Sequence, residues 1–166
     1  ITEAGIRYIS KLPKLEWLNL YKTKINNRSL KEIAKIKSLK LLPIGSTKVT
    51  DEGMTHLSTM TQLEYLGLRG NLITDIGTSQ LSPLINLQGL NLGETRISDE
   101  SLKNISKFTN LQNLWVQKTE VSDNSIPIIT NFKKLKKLDI SSTKITSEGI
   151  KTIKSKLPNC EITSGD

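Results

Sequence analysis

Apolar residues recur along this chain at a fixed interval of 24 positions. Leu15, Leu39, Leu63, Leu87, Leu111 and Leu135 open six units, and Leu18, Leu42, Leu66, Leu90, Leu114 and Leu138 follow three residues later. A third apolar column comes two residues on: Leu20, Ile44, Leu68, Leu92, Val116 and Ile140. Thr23, Thr47, Asn71, Thr95, Thr119 and Thr143 come next, then Ile25, Val49, Ile73, Ile97, Val121 and Ile145. Self-similarity at a period of ~20–50 residues marks stacked structural repeats, each too small to bury its own apolar face.

Within a unit, apolar residues two apart, such as Leu18 and Leu20, share one face of a short strand, while positions 17, 19 and 21 point to the other. After the Ile25 column the period changes. Leu30-Ile33-Ile36, Met54-Leu57-Met60, Leu102-Ile105-Phe108 and Ile126-Ile129-Phe132 recur every third residue, which predicts one buried helix face per unit. Thr50-Asp51-Glu52, Thr74-Asp75, Ser98-Asp99-Glu100, Ser122-Asp123 and Thr146-Ser147-Glu148 read as helix starts, with hydroxyl N-caps and first-turn carboxylates that cap. Asn26-Asn27-Arg28 breaks the acidic pattern, so the helix it opens is expected to be the least firmly started. The Thr/Asn column is expected to hydrogen-bond backbone groups of neighbouring turns, asparagine more fully than threonine.

The pattern L-x-x-L-x-L-x-x-T-x-I-[ST]-D-x-x-[LIM]-x-x-[LI]-x-x-[LMF] resembles a leucine-rich repeat and covers six complete units with partial ones at both ends. The [ST]-D-E-G segment is similar to the cysteine-containing subclass of F-box-associated repeats, in a shorter form with Thr where that subclass has Cys. Such compact repeats resemble bacterial leucine-rich-repeat proteins, some of them secreted effectors, and the Lys/Ile/Asn-rich composition fits a bacterial source. The resemblance implies an α/β, right-handed solenoid in a horseshoe arc, with a concave parallel β-sheet and convex short helices. It implies a single domain over residues 1–166. Ile1-Thr2-Glu3-Ala4-Gly5-Ile6 aligns with Ile145-Thr146-Ser147-Glu148-Gly149-Ile150, so the chain is expected to be a fragment of a longer protein. At the other end, Cys160 fits either the first leucine column, with one residue inserted, or an inward pair with Ile162. Pro43 removes a ladder donor from a strand and predicts a local distortion. Gly45, Gly67, Gly70, Gly89 and Gly93 flatten the inner surface, either as a shallow trough for a partner or as tolerated smallness.

Six strands at roughly 4.8 Å spacing span on the order of 25 Å, the scale of a protein interface. The outward positions collect both tryptophans and two of the three tyrosines, while both phenylalanines sit in the helix column. Exposed Trp, Tyr and Arg are the types enriched at binding hot spots. The candidate partner-binding set is therefore Trp17, Tyr21, Tyr65, Arg69 and Trp115, with Asn19, Asn91, Gln117 and Asp139 supplying polar specificity. Trp17, Tyr21 and Tyr65 are expected to cluster and Trp115 to stand apart. The alternative is that aromatic residues favour strands and cover neighbouring backbone.

A net charge of +8 raises nucleic acid or anionic lipid as partners, but its distribution argues against a phosphate groove. Residues 1–48 carry 11 basic and 3 acidic side chains, 49–130 carry 5 and 9, and 131–166 carry 8 and 4. Lys133-Lys134 and Lys136-Lys137 form the densest run, with spacing that scatters them. No run of ~20 apolar residues suits a membrane span. One cysteine and one histidine cannot build a Cys/His metal cluster, and Asp51-Glu52 and Asp99-Glu100 recur at helix starts instead of pairing for acid–base work. His56 is expected to be partly exposed on the helix side. No cofactor and no enzymatic activity are expected. The leading expectation is a protein–protein interaction module that binds a partner on its concave face, as the recognition part of a bacterial secreted effector or adaptor. The alternatives are an electrostatic binder of RNA or lipid through the basic ends, and a scaffold for a catalytic or F-box-like domain outside this segment. Oligomeric state and compartment are not encoded in these patterns.

Overall fold

A computed structural model describes Ile1 and residues 3–165, with Glu3 and Ala4 described by backbone alone. Thr2, which aligns with the N-cap Thr146, lies outside the described residues. The elements run α1 (Glu3–Ile9), α2 (Asn27–Ile33), β1 (Leu41–Pro43), α3 (Asp51–Leu57), β2 (Tyr65–Gly67), α4 (Asp75–Ser79), β3 (Gly89–Asn91) and α5 (Asp99–Asn104). They continue with β4 (Asn113–Trp115), a 3₁₀ turn (Asp123–Ser125), α6 (Ile126–Ile129), β5 (Lys137–Asp139), α7 (Ser147–Lys156) and β6 (Glu161–Thr163). The strands pair in parallel in the order β1-β2-β3-β4-β5-β6, each shifted from the last by one 24-residue unit. The result is an open right-handed solenoid, strands on one side and short helices on the other. The leucine columns and the helix columns fill one buried cluster from Ile6 to Leu157, with Phe108 and Phe132 its largest members.

The first unit departs from the expected six strands. Trp17 makes only an isolated bridge to Leu41. Leu41 N–H donates to Glu16 O at 2.9 Å and Leu20 N–H to Pro43 O at 2.9 Å. The bond that would lie between them runs from the nitrogen of residue 43 to Leu18 O, and proline has no N–H to donate. The ladder therefore breaks where Pro43 predicted a distortion. At the other end Ile162 pairs with Leu138, and Cys160 N–H donates to Leu157 O as Leu135 N–H does to Phe132 O. Cys160 thus takes the first-leucine place and Ile162 the second, one residue closer together than usual, so both readings of the terminus hold in part.

Three expectations about the turns need correction. First, the helix-start aspartates do more than cap. Asp51 Oδ1 accepts from Thr74 N–H at 2.8 Å and its Oδ2 from the Thr74 hydroxyl at 2.6 Å, one repeat further on. Asp75 does the same for Ser98, Asp99 for Ser122 and Asp123 for Thr146. Asn27 fills the same role, its Oδ1 accepting from Thr50 N–H at 2.9 Å and its Nδ2 donating to the Thr50 hydroxyl at 2.8 Å. Second, Asn26 is a full capping box, accepting from Arg28 and Ser29 N–H while Ser29 Oγ accepts from Asn26 N–H. Among the described residues, the N-caps that make no side-chain cap bond are Thr50 of α3, whose hydroxyl is engaged by Asn27, and Ser125 of α6. Third, the threonine hydroxyls do not bond the backbone of neighbouring turns: Thr23, Thr47, Thr95, Thr119 and Thr143 each donate to the carbonyl three residues earlier in their own unit, and Thr47 also reaches the Asn71 side chain of the next unit at 3.1 Å. Among the described residues of that column, Asn71 is the one that bonds a neighbouring unit's backbone, accepting from Thr47 N–H at 2.7 Å and donating to Ile44 O at 2.9 Å.

Candidate functional site

The strand face is built by alternation. Residues at the second and third leucine columns point into the core, so the residues between and beside them project outward. Trp17 is 63% exposed and Tyr21 40% exposed, and Asn19 and Leu41 are also exposed. Lys22 Nζ sits 5.3 Å from the Tyr21 ring centre, close enough for a cation–π contact. Sequence analysis did not single out Leu41, although its outward position in β1 was readable.

Further along, the expected grouping changes. Tyr65 does not join Trp17 and Tyr21 but meets Trp115 edge to face, with ring centres 6.2 Å apart at 76°. The two residues lie two units apart, and the gap between them is Gly89. A Cβ there would stand 2.7 Å from Tyr65 Cδ2. Gly67 similarly receives the Tyr65 hydroxyl end, Gly45 lies under the Tyr21 ring, and Gly93 lies under the Gln117 amide. These glycines therefore open no trough, since neighbouring side chains fill the space they leave. Gly70 has a different role, taking φ +70° at the strand exit. Burial raises the Tyr65 phenol above its ordinary value, and a hydrogen bond with Asn91 opposes the rise. Beside Trp115, the strand face forms a shallow hollow of about 220 Å³ that Lys137, Asp139, Glu161 and Thr163 also line.

The polar members of the expected set are largely engaged within the molecule. Asn19, Asn91 and Asp139 each accept through Oδ1 the N–H two residues on, at 3.0, 3.1 and 3.0 Å. Gln117 is only 8% exposed, so it is packing over Gly93 and not a free surface group. Arg69 donates to Glu94 at 2.8 Å, and Lys118 reaches the same carboxylate at 3.2 Å. Hydrogen bonds from Arg69 and Lys118 hold the Glu94 carboxyl down at about 2. Glu94 and Lys118 were missed from sequence, though opposite charges one unit apart in adjoining positions were a usable signal. The dense lysine run is scattered as expected: Lys133 Nζ donates to Thr130 O, Lys134 Nζ to Asn110 Oδ1, and Lys137 faces Glu161.

His56 is half-buried on the helix side and Cys160 half-buried near the last strand, where burial raises its thiol pKa. Among the described residues, no group of three or more His, Cys, Asp or Glu could hold a metal ion, and no helix is long and apolar enough to cross a membrane.

The Leucine Rich repeat family matches residues 133–154, covering β5 and the first part of α7. The same strand, turn and helix recur through the remaining units. The chain is a leucine-rich-repeat solenoid. It is similar to the crystal structure of an internalin (inlF) from Listeria monocytogenes, at 27% identity and a TM-score of 0.75, over 95% of this chain and 44% of that one. An internalin C2 (inlC2) from the same organism is 26% identical with a TM-score of 0.71, over 96% of this chain and 74% of that one. A TDR receptor structure shares the fold, at 19% identity and a TM-score of 0.62, over 96% of this chain and 27% of that one. This chain therefore spans less than half of the inlF structure. No curated protein matches it.

Proposed function

We propose that this solenoid is a non-enzymatic recognition module that holds a partner protein against its concave strand face. The exposure of Trp17, Tyr21 and Leu41 on the same strand face as the edge-to-face pair of Tyr65 and Trp115 carries the reading. A solvent-facing indole and phenol give large contact area with few rotamers to freeze, and the Tyr65–Trp115 pair is already ordered before a partner arrives. Arg69, tied to Glu94, adds a positioned charge at the rim. Asn19, Asn91 and Asp139 shape the strand exits, so their contribution is to hold the aromatic face in register.

The internalin likeness supports the compact bacterial type of repeat, and with it a role as the recognition part of a secreted effector or adaptor. The test compares retention of proteins from a host-cell lysate on the native chain and on a Trp17→Ala/Tyr65→Ala/Trp115→Ala variant, at low and high salt. A partner retained at high salt by the native chain and weakened at least ~30-fold by the variant, about 2 kcal/mol, supports the reading. Equal retention by both removes the concave face from the site.

A further inference from the structure

The flank where the chain leaves the strands and enters the helices carries two parallel rows of exposed side chains. One row lies just before each helix start and includes Lys48, Leu72 and Arg96. The other lies in the first turn of each helix and includes Glu52, Ile76 and Glu100. Backbone bridges Asn26↔Lys48, Thr50↔Leu72 and Thr74↔Arg96 keep successive units in register along this flank. Leu72 is 58% exposed and Ile76 70% exposed, in columns where every other unit has a charged or polar residue. Glu100 pairs with Lys103 and Glu52 accepts from Asn27, but Lys48 and Arg96 have no side-chain partner among the described residues.

We propose that this flank is a self-association surface whose occupant is the same flank of a second copy. A two-fold axis parallel to the solenoid maps one row onto the other at the same level. Leu72 then meets Ile76 of the second copy, Lys48 meets Glu52 and Arg96 meets Glu100, each twice. Further along, Glu120 faces the neutral Asn124, and Lys144 faces Glu148, each of these two already ion-paired in its own copy, to Glu120 and Lys151; the one like-charged level, Lys24 with Arg28, lies at the N-terminal end. A two-fold axis across the rows would instead set Lys48 against Arg96 and is disfavoured by repulsion. The apolar centre is only two side chains, well short of the ~800 Å² per partner of a standard stable complex, so the pair forms at high concentration. Both strand faces stay uncovered, which makes the assembly bivalent, and the proposal stands independently of what those faces bind.

Sedimentation across a concentration series tests this with the native chain and two charge-reversed variants, Lys48→Glu/Arg96→Glu and Glu52→Lys/Glu100→Lys. The native mass rises from 18.5 kDa towards twice that value as concentration increases. Each variant alone stays at the monomer mass, because like charges then face one another. An equimolar mixture of the two regains association, which also shows that both are folded. A native chain that stays monomeric, variants that associate as the native chain does, or a mixture that stays monomeric would each overturn the proposal.

Discussion

At the scale of single residues, the helix-start aspartate determines its neighbours. Its carboxylate, or the Asn27 amide in the unit before Gly53, presses on the third helical residue of the following unit, which is always Gly or Ser from Gly53 onwards: Gly53, Gly77, Ser101, Ser125 and Gly149. A Cβ at Gly77 would lie 2.2 Å from Asp51 Oδ1, and at Gly149 2.3 Å from Asp123 Oδ1. Where a Cβ is present it belongs to serine, whose hydroxyl donates to that oxygen, as Ser101 does to Asp75 and Ser125 to Asp99. Replacing Gly77 by Ala should cost roughly 2–3 kcal/mol through overpacking, whereas Ser should recover about 1 kcal/mol of it by donating; urea midpoints at unchanged slope measure both. The same carboxylates tie stability to pH. Burial pushes Asp75 and Asp99 up, but hydrogen bonds from the serine hydroxyls and backbone N–H groups outweigh it, and both sit below the ordinary value of 3.8. Their stabilisation is complete above the unfolded value, about 4, and is lost as pH falls through the lower folded values. Lowering pH from about 6 to about 3 should shift the urea midpoint less in Asp75→Ala than in the native chain, and an equal shift would detach Asp75 from the acid response.

At the scale of elements, one missing N–H decides where the ladder begins. Pro43→Val supplies a donor opposite Leu18 O, so the new amide at position 43 should exchange slowly with solvent and the first unit should gain a regular strand; rapid exchange there would mean another cause for the break. The aromatic pair depends on a glycine in the same way. Gly89→Val should drive Tyr65 off Trp115 and change tryptophan fluorescence, with little change in the helices. The strands, helices and core columns were legible in the sequence because each follows from an apolar period of two or three. The cross-repeat contacts were less legible. Nothing in the spacing of Asp51 and Thr74 distinguishes a cap on its own helix from a bond to the next. Only the structure shows that Gln117 folds onto Gly93 and that Tyr65 leans towards Trp115 instead of Tyr21. Positions 17, 19 and 21 and positions 113, 115 and 117 were assigned to the outer face by alternation, but exposure depends on which neighbour is glycine, and that required three dimensions.

At the scale of the whole molecule, the strand face and the exit flank are separate surfaces with different chemistry. The strand face is aromatic and locally braced, and it is the surface proposed to hold a protein partner. The flank alternates basic, apolar and acidic groups in rows. The basic ends do not combine into a stripe, because the acidic residues of 49–130 lie between them and Lys133, Lys134 and Lys137 contact local groups. Retention of a partner on the strand face should therefore depend weakly on salt, while flank association should weaken as salt screens its charges. Photo-crosslinking groups placed one at a time at Trp17, Trp115, Lys31 and Lys103 test the central assignment most directly. The first two positions lie on the strand face, and Lys31 and Lys103 lie on exposed helix surface. In lysate, the account predicts that the same protein is captured from positions 17 and 115 and from neither helix position. Capture from 31 or 103 without capture from 17 or 115 would contradict it.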